Sequence, residues 1–93
     1  MLKEYGSFIW DPRKEKINII KHRIDFVAAA YAFDDPKRKI FADIWHSEHE
    51  ERFFCIGKIK GKIVTVRFTR RGNKIRIIGA GYWRKGRKYY EEA

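Results

Sequence analysis

Cysteine is nearly missing from this chain: Cys55 stands alone, so no internal disulfide can form and a reducing compartment is expected. Proline occurs only at Pro12 and Pro36, which excludes a proline-rich linker and marks two element boundaries. No uncharged apolar run reaches the roughly 18 residues that a membrane-spanning helix needs. The first residues do not read as a signal peptide, because Lys3-Glu4 lead into the strand-like Phe8-Ile9-Trp10. There is no repeat and no low-complexity tract. The expectation is one cytoplasmic domain spanning residues 1–93, with a thin core drawn from a chain that is 44% hydrophobic and 16% aromatic.

Acid is scarce in one half only. Residues 1–50 hold nine Lys or Arg and nine Asp or Glu, whereas residues 51–93 hold thirteen bases against Glu51, Glu91 and Glu92. The whole net charge of +10 therefore belongs to the second half. Such uncompensated charge repels itself in a compact fold, and a polyanion relieves the cost. A merely solubilising surface is the plainer alternative.

Asp11-Pro12 opens a helix, with an Asp cap and Pro at the first helical position, where no N–H is needed. This helix is expected to end near Lys21 or His22 and to bury Ile17, Ile20 and, just beyond it, Ile24. A second short helix, capped by Asp25, carries Phe26, Ala29, Ala30 and Phe33 until Asp34-Asp35-Pro36 stops it. The pattern then turns to strands over 39–43, 52–58, 62–70 and 74–81, with a polar loop at 44–50 and turns at Lys60-Gly61 and Gly72-Asn73. The last ten residues suggest a short basic helix, against which Gly86 weighs. The fold class is α+β: a small antiparallel sheet with two N-terminal helices packed on one face.

Two-residue turns set a register in which Phe54 faces Arg67, Arg52 faces Thr69, Thr69 faces Arg76 and Arg67 faces Ile78. Alternation then makes an apolar floor of Phe53, Cys55, Val64, Val66, Phe68, Ile75 and Ile77. The opposite face carries Arg52, Phe54, Thr65, Arg67, Thr69, Arg76 and Ile78. Three arginines in mid-strand are costly unless something anionic meets them, and phosphate fits the guanidinium fork. Pairing with Glu50 or Glu51 is the competing explanation. Cys55, on the apolar face, reads as a buried small hydrophobe.

These residues resemble the BrnT family of toxins. The resemblance rests on Trp10-Asp11, Lys14, Asn18, Lys21-His22, Ile24 and Phe26; on Asp34-Asp35-Pro36, His46-Ser47-Glu48, Glu51-Arg52-Phe53 and Ile56-Gly57; and on Arg71-Gly72, Ile75-Arg76-Ile77-Ile78, Ala80 and the basic tail ending Tyr90-Glu91-Glu92. It implies a fold like that of the RelE ribonucleases and a metal-independent endoribonuclease that inhibits translation. It also implies a ribbon–helix–helix antitoxin that neutralises this protein and binds DNA in complex with it. Two positions depart from the family pattern: Arg23, where glycine is common, and Gly81, where arginine is common and for which Arg84 is the nearest substitute. The departure at Gly81 favours the alternative of a non-catalytic nucleic-acid-binding module; an antitoxin-binding partner acting mainly in operon autoregulation is a further alternative.

Metal-free RNA cleavage needs a base for the 2′-hydroxyl, an acid for the leaving oxygen and cations for the phosphorane. Arg52, Arg67 and Arg76 are the candidate cations. His46 is the candidate for proton transfer, since an imidazole titrates near pH 6.5 unperturbed, with Glu51 and His49 behind it. A simple hydrogen bond from His46 to Glu50 is the plainer alternative, and His22 reads as a helix cap. Arg70, Arg84, Lys85, Arg87 and Lys88 are candidate backbone contacts, with Tyr82 and Trp83 as base-stacking rings. No metal and no cofactor is expected, because the only donor cluster, His46, Glu48, His49 and Glu50, sits on a loop of a strongly cationic chain.

Overall fold

The computed structural model describes residues 1–92. In chain order the elements are β1 (Lys3–Tyr5), β2 (Phe8–Trp10), α1 (Pro12–His22), α2 (Phe26–Ala30) with a 3-10 turn at Tyr31–Asp34, β3 (Lys39–Ala42), a second 3-10 turn at Ile44–His46, β4 (Arg52–Ile59), β5 (Lys62–Arg71), β6 (Lys74–Gly81) and α3 (Arg84–Glu91). The strands form one six-stranded sheet in the order β1-β2-β6-β5-β4-β3. The fold is α+β, but the sheet is larger than the sequence suggests and it is mixed: β2 runs parallel to β6, with Phe8 opposite Ile75 and Ile9 opposite Arg76. The unexpected strand, β1, is Lys3-Glu4-Tyr5, exposed throughout and without the apolar alternation that announces a strand.

One face of the sheet holds the core. Trp10, Phe26, Cys55, Val64, Val66, Phe68 and Ile77 are fully buried there, with Phe53 and Ile75 packed at their margin. Burial pushes the Cys55 thiol up to about 12, so it behaves as an apolar filler rather than a nucleophile. Asp25 caps α2 by accepting from the Ala28 amide at 2.7 Å. Ring edges join the layers: Trp10 meets Phe26 at 5.9 Å, and Phe33 meets Phe8 and Phe68 at 5.2 and 5.1 Å.

Helix α1 corrects the expectation made for it. Its isoleucines point outward, with Ile17 53% and Ile20 72% exposed, and its one buried residue is Asn18. The reason lies in where the helix sits. β2 covers only the start of β6, and further along α1 takes over the uncovered edge. There the Asn18 Oδ1 accepts from the Ala80 amide at 3.1 Å, while its Nδ2 donates to the Ile24 carbonyl at 3.0 Å. Glu15 adds a second tie, accepting from the Trp10 Nε1 at 3.0 Å and the Phe26 amide at 2.9 Å. The inward side of α1 is a hydrogen-bonding side, and an apolar stripe is no guide to it. Ile24, beyond the helix, is buried as expected.

The β4–β5 register matches expectation, with Phe54 opposite Arg67 and Arg52 opposite Thr69. The β5–β6 register does not. Thr69 faces Arg76 and Phe68 faces Ile77, but a bulge between Arg67 and Phe68 then sets Arg67 opposite Gly79 and Thr65 opposite Gly81. Ile78 is the residue the bulge takes out of the count. A regular ladder would have put Ile78 and Ala80 opposite those two positions; the bulge brings two glycines there and sends Ala80 into the core.

The chain's end is tied down at Asp35. Its carboxylate accepts from the Tyr90 hydroxyl at 2.6 Å, the Lys58 amide at 2.7 Å and the Lys37 amide at 2.8 Å. The Tyr90 hydroxyl, followed by the Lys58 amide, holds this carboxyl below the usual carboxylate range. Lys39 Nζ donates to the Tyr89 carbonyl at 2.6 Å, and the Phe41 and Tyr89 rings meet at 5.3 Å.

Two outcomes follow from this frame. Arg23 ends α1 at φ 59°, a left-handed conformation that disfavours a Cβ. Arg23→Gly is therefore expected to stabilise by about 1 kcal/mol, raising Tm by about 4–8 °C in thermal unfolding. Asp35, with a depressed folded pKa, contributes stability that is complete above its unfolded value near 3.9 and is lost as pH falls through the lower folded value. Urea unfolding of wild type and Asp35→Asn should show a gap that is widest above about pH 5 and closes as pH drops below about 4.

Candidate active site

On the sheet face opposite the core, α3 crosses β5 and β4 through Gly86. A Cβ built there would lie 1.9 Å from Thr65 Oγ1 and 3.2 Å from Thr65 Cβ. The glycine that weighs against a helix is what allows this helix to lie on the sheet. The Thr65 hydroxyl beneath it is buried without a hydrogen-bond partner among the described residues.

Between α3, β3, the 44–46 turn and strands β4 and β5 opens a cavity of about 690 Å³. Its walls include Phe41, Trp45, Phe54, Trp83 and Tyr89, and its polar groups include His46, Arg67 and Lys85. The bulge shapes one side of it. Gly81 offers no side chain, and the Trp83 indole lies where one would be, 2.9 Å from a built Cβ. The edge of His22 meets Trp83 at 5.0 Å between centroids, so His22 supports the site rather than lining it.

His46 is held by Asp43, not Glu50. Its Nδ1 is 2.8 Å from Asp43 Oδ2, and Asp43 is only 4% exposed. A ladder of short bonds fixes the loop around this pair: the Asp43 amide donates to the Arg52 carbonyl at 2.7 Å, the Ser47 hydroxyl to the Asp43 carbonyl at 2.6 Å, and the Arg52 amide to the Ser47 Oγ at 3.0 Å. With Nδ1 engaged, Nε2 is the nitrogen left for proton transfer. Glu50 is drawn off by Arg71, at 3.1 Å. Arg67 enters none of the ion pairs found among the described residues.

The three candidate arginines share a side of the sheet by register but not one location. Arg67 lines the cavity, while Arg52 and Arg76 stand two residues further along the strands, flanking Thr69. The Arg52 Nε is buried without a hydrogen-bond partner among the described residues. Arg76 lies near Asp11, whose carboxyl is held below its ordinary range first by the Arg13 amide and side chain and then, more weakly, by the field of Arg76. Glu51 takes part through its backbone, its carbonyl accepting from the Thr69 hydroxyl at 2.6 Å. Its carboxylate is not on the cavity wall.

Of the tail residues, Lys85 and Trp83 line the cavity. Arg84, Arg87 and Lys88 are exposed along α3, with Arg87 3.4 Å from Glu91. Tyr82 lies elsewhere, under Lys62 at 5.5 Å and beside Ile24 and Val64. Arg70 sits over the Phe53 ring at 5.7 Å, on the core side of the sheet. Sequence reasoning missed Asp43, Phe41, Trp45 and Tyr89. The available signals were the three-residue spacing of Asp43 and His46 and a tryptophan set in an otherwise polar loop.

A cationic α+β chain here carries an aromatic-walled cleft, an imidazole–carboxylate pair and a guanidinium outside the ion pairs found among the described residues, a set of groups chemically suited to a phosphate polyanion. The particular family follows from its sequence: a family model described as the ribonuclease toxin, BrnT, of type II toxin–antitoxin systems matches residues 10–86. The chain belongs to the BrnT family. No curated protein matches it. The matched span takes in Asp43, His46, Arg67 and Lys85 of the cavity and ends at Gly86, where α3 meets Thr65; Tyr89 lies beyond it. Among the described residues, no helix is long and apolar enough to cross a membrane.

The Gly86–Thr65 contact is directly testable. Gly86→Ala improves helix propensity by about 1 kcal/mol, yet the clash should outweigh this and give a net loss of about 1–3 kcal/mol in chemical denaturation. Adding Thr65→Ala, which removes the closer of the two obstructing atoms, should recover most of that loss.

Proposed function

We propose that this protein is a metal-independent endoribonuclease, with the cavity on the sheet's outer face as its active site. The observation that carries the reading is the pairing, in one cleft, of an unengaged Arg67 with a His46 whose Nδ1 is fixed by buried Asp43. His46 Nε2 takes the proton of a 2′-hydroxyl. The 2′-oxygen bonds to the neighbouring phosphorus and the P–O5′ bond breaks, leaving a 2′,3′-cyclic phosphate. Lys85, which lines the same cavity, gives a proton to the departing 5′-oxygen. Arg67, which enters none of the ion pairs found among the described residues, meets the charge that develops on the phosphorane oxygens.

Arg52 and Arg76, further along the same sheet face, hold flanking phosphates. Arg84, Arg87 and Lys88 of α3 extend that basic track. In this reading the protein works in the cytoplasm, its fold is of the RelE ribonuclease kind, and loss of message stops translation. The antitoxin is of the ribbon–helix–helix type and neutralises the toxin by binding it. Family membership supports the ribonuclease and the antitoxin partner; the assignment of roles to residues rests on the geometry.

Purified protein incubated with single-stranded RNA and excess chelator should yield fragments ending in cyclic phosphate. Arg67→Ala should slow cleavage by about 10²–10³-fold, and His46→Ala by about 10²–10⁴-fold. Cleavage at undiminished rates in both variants, or abolished by the chelator, would overturn the reading.

A further inference from the structure

Aromatic surface is the cavity feature that phosphate chemistry leaves unused. Trp45 is 81% exposed, though burying an indole is ordinarily favourable, and it stands on the same cleft as Trp83, Phe54 and Tyr89. The two tryptophans are held very differently. Trp83 is a fixed plate: the bare backbone of Gly81 lies against one part of its ring and His22 meets it edge-on. Trp45, in the short turn beside His46, has almost nothing packed upon it. A supported ring, an open ring and a guanidinium lining one cleft make a receptor for a flat, uncharged ring that carries an anion.

We propose that the cavity is a slot for one unpaired nucleobase, with Trp83 as the standing platform, Trp45 as the closing one, and Gly81 as the positioning residue that keeps Trp83 in place. The slot rests on the RNA reading above and adds a requirement to it. A base in a duplex has both faces covered by its neighbours, so only an unstacked base can enter. The phosphate attached to that base is then delivered to Arg67 and His46. Selection for unpaired RNA, and for the nucleotide beside the cut, resides in the two indoles rather than in the cations. Gly81 is specific in its role: any side chain there must push Trp83 off the wall, without removing a single aromatic ring.

Intrinsic fluorescence separates the slot from the chemistry. Trp10 is fully buried and supplies a constant background, so quenching by an added nucleotide reports Trp45 and Trp83. Adenosine monophosphate should quench the wild type and inorganic phosphate should not. Trp45→Ala, at a position too exposed to matter for folding, should weaken nucleotide binding by about 5–100-fold. Gly81→Val should weaken it similarly while keeping both rings, with thermal unfolding as the check that the fold persists. Where RNA is cleaved, both variants should also lose the preference for unpaired over duplex substrate.

Quenching by the nucleotide in a protein that leaves RNA whole would support the slot and sink the cleavage mechanism. RNA cleavage that ignores both tryptophans, with no quenching, would sink the slot and leave the cleavage mechanism standing. If Trp45→Ala left nucleotide binding intact and instead released the protein from its antitoxin, the exposed indole would be a protein-docking group and the proposal would fall.

Discussion

A single buried amide holds the two halves of this molecule in register. Asn18 supplies an acceptor to the β6 edge at Ala80 and a donor to the Ile24 carbonyl, just before α2 begins. Both polar ends of the side chain are satisfied in a site only 7% exposed, where an unpaired amide would cost roughly 1–3 kcal/mol. Without it, the uncovered part of β6 would present a bare edge, and α1 would have no apolar reason to stay, since its isoleucines face outward. The stretch of β6 that Asn18 secures is the stretch that carries Gly79 and Gly81. The outer face is therefore set up from the inside, through one hydrogen-bonded edge.

The two faces of the sheet follow different chemistry. The core face is close-packed and aromatic, with Trp10, Phe26 and Phe68 meeting the helical layer. The outer face keeps its aromatic rings around a void, and its helix is attached at points: Gly86 on Thr65, Tyr90 on Asp35, and Lys39 on the last carbonyls. A wall held by such contacts, rather than by a filled core, leaves a cleft that a polymer can enter. The positive charge of residues 51–93 lies along the elements that build this side, which suits a partner arriving as a polyanion.

Much of this was legible in the sequence where a local rule governs. The Asp11-Pro12 and Asp25 caps, the Lys60-Gly61 and Gly72-Asn73 turns, and the alternation through Val64, Val66 and Phe68 are short-range signals, and β4, β5 and their register follow from them. What escaped depended on distant partners. β1 has no apolar period because it is an exposed edge. Ile17 and Ile20 carry a helical stripe that misleads, because α1 docks through Asn18 and Glu15. The bulge at Arg67/Phe68 has no residue signature of its own, so Ile78 was expected opposite Arg67 in place of Gly79. Arg67, His46, Trp83 and Lys85 come together on the cavity wall, but Asp43 and Trp45 sat in a stretch that reads only as a polar loop. Tyr82, Arg70 and Glu51 have suitable chemistry and lie elsewhere, since residue type does not reveal which way a strand end turns.

The bulge also limits how this protein can change over evolutionary time. Pairing on either side of it differs by one residue, so losing Ile78 would make the ladder regular and leave Gly79, Ala80 and Gly81 opposite their present partners. Gaining a residue just after Ile77, with the bulge kept at one residue, would instead turn Ala80 out beneath the indole and a glycine into the core. The segment can thus shorten by one residue without disturbing the cleft but cannot lengthen so freely, and the lineage retunes its cleft chiefly through what sits at each place.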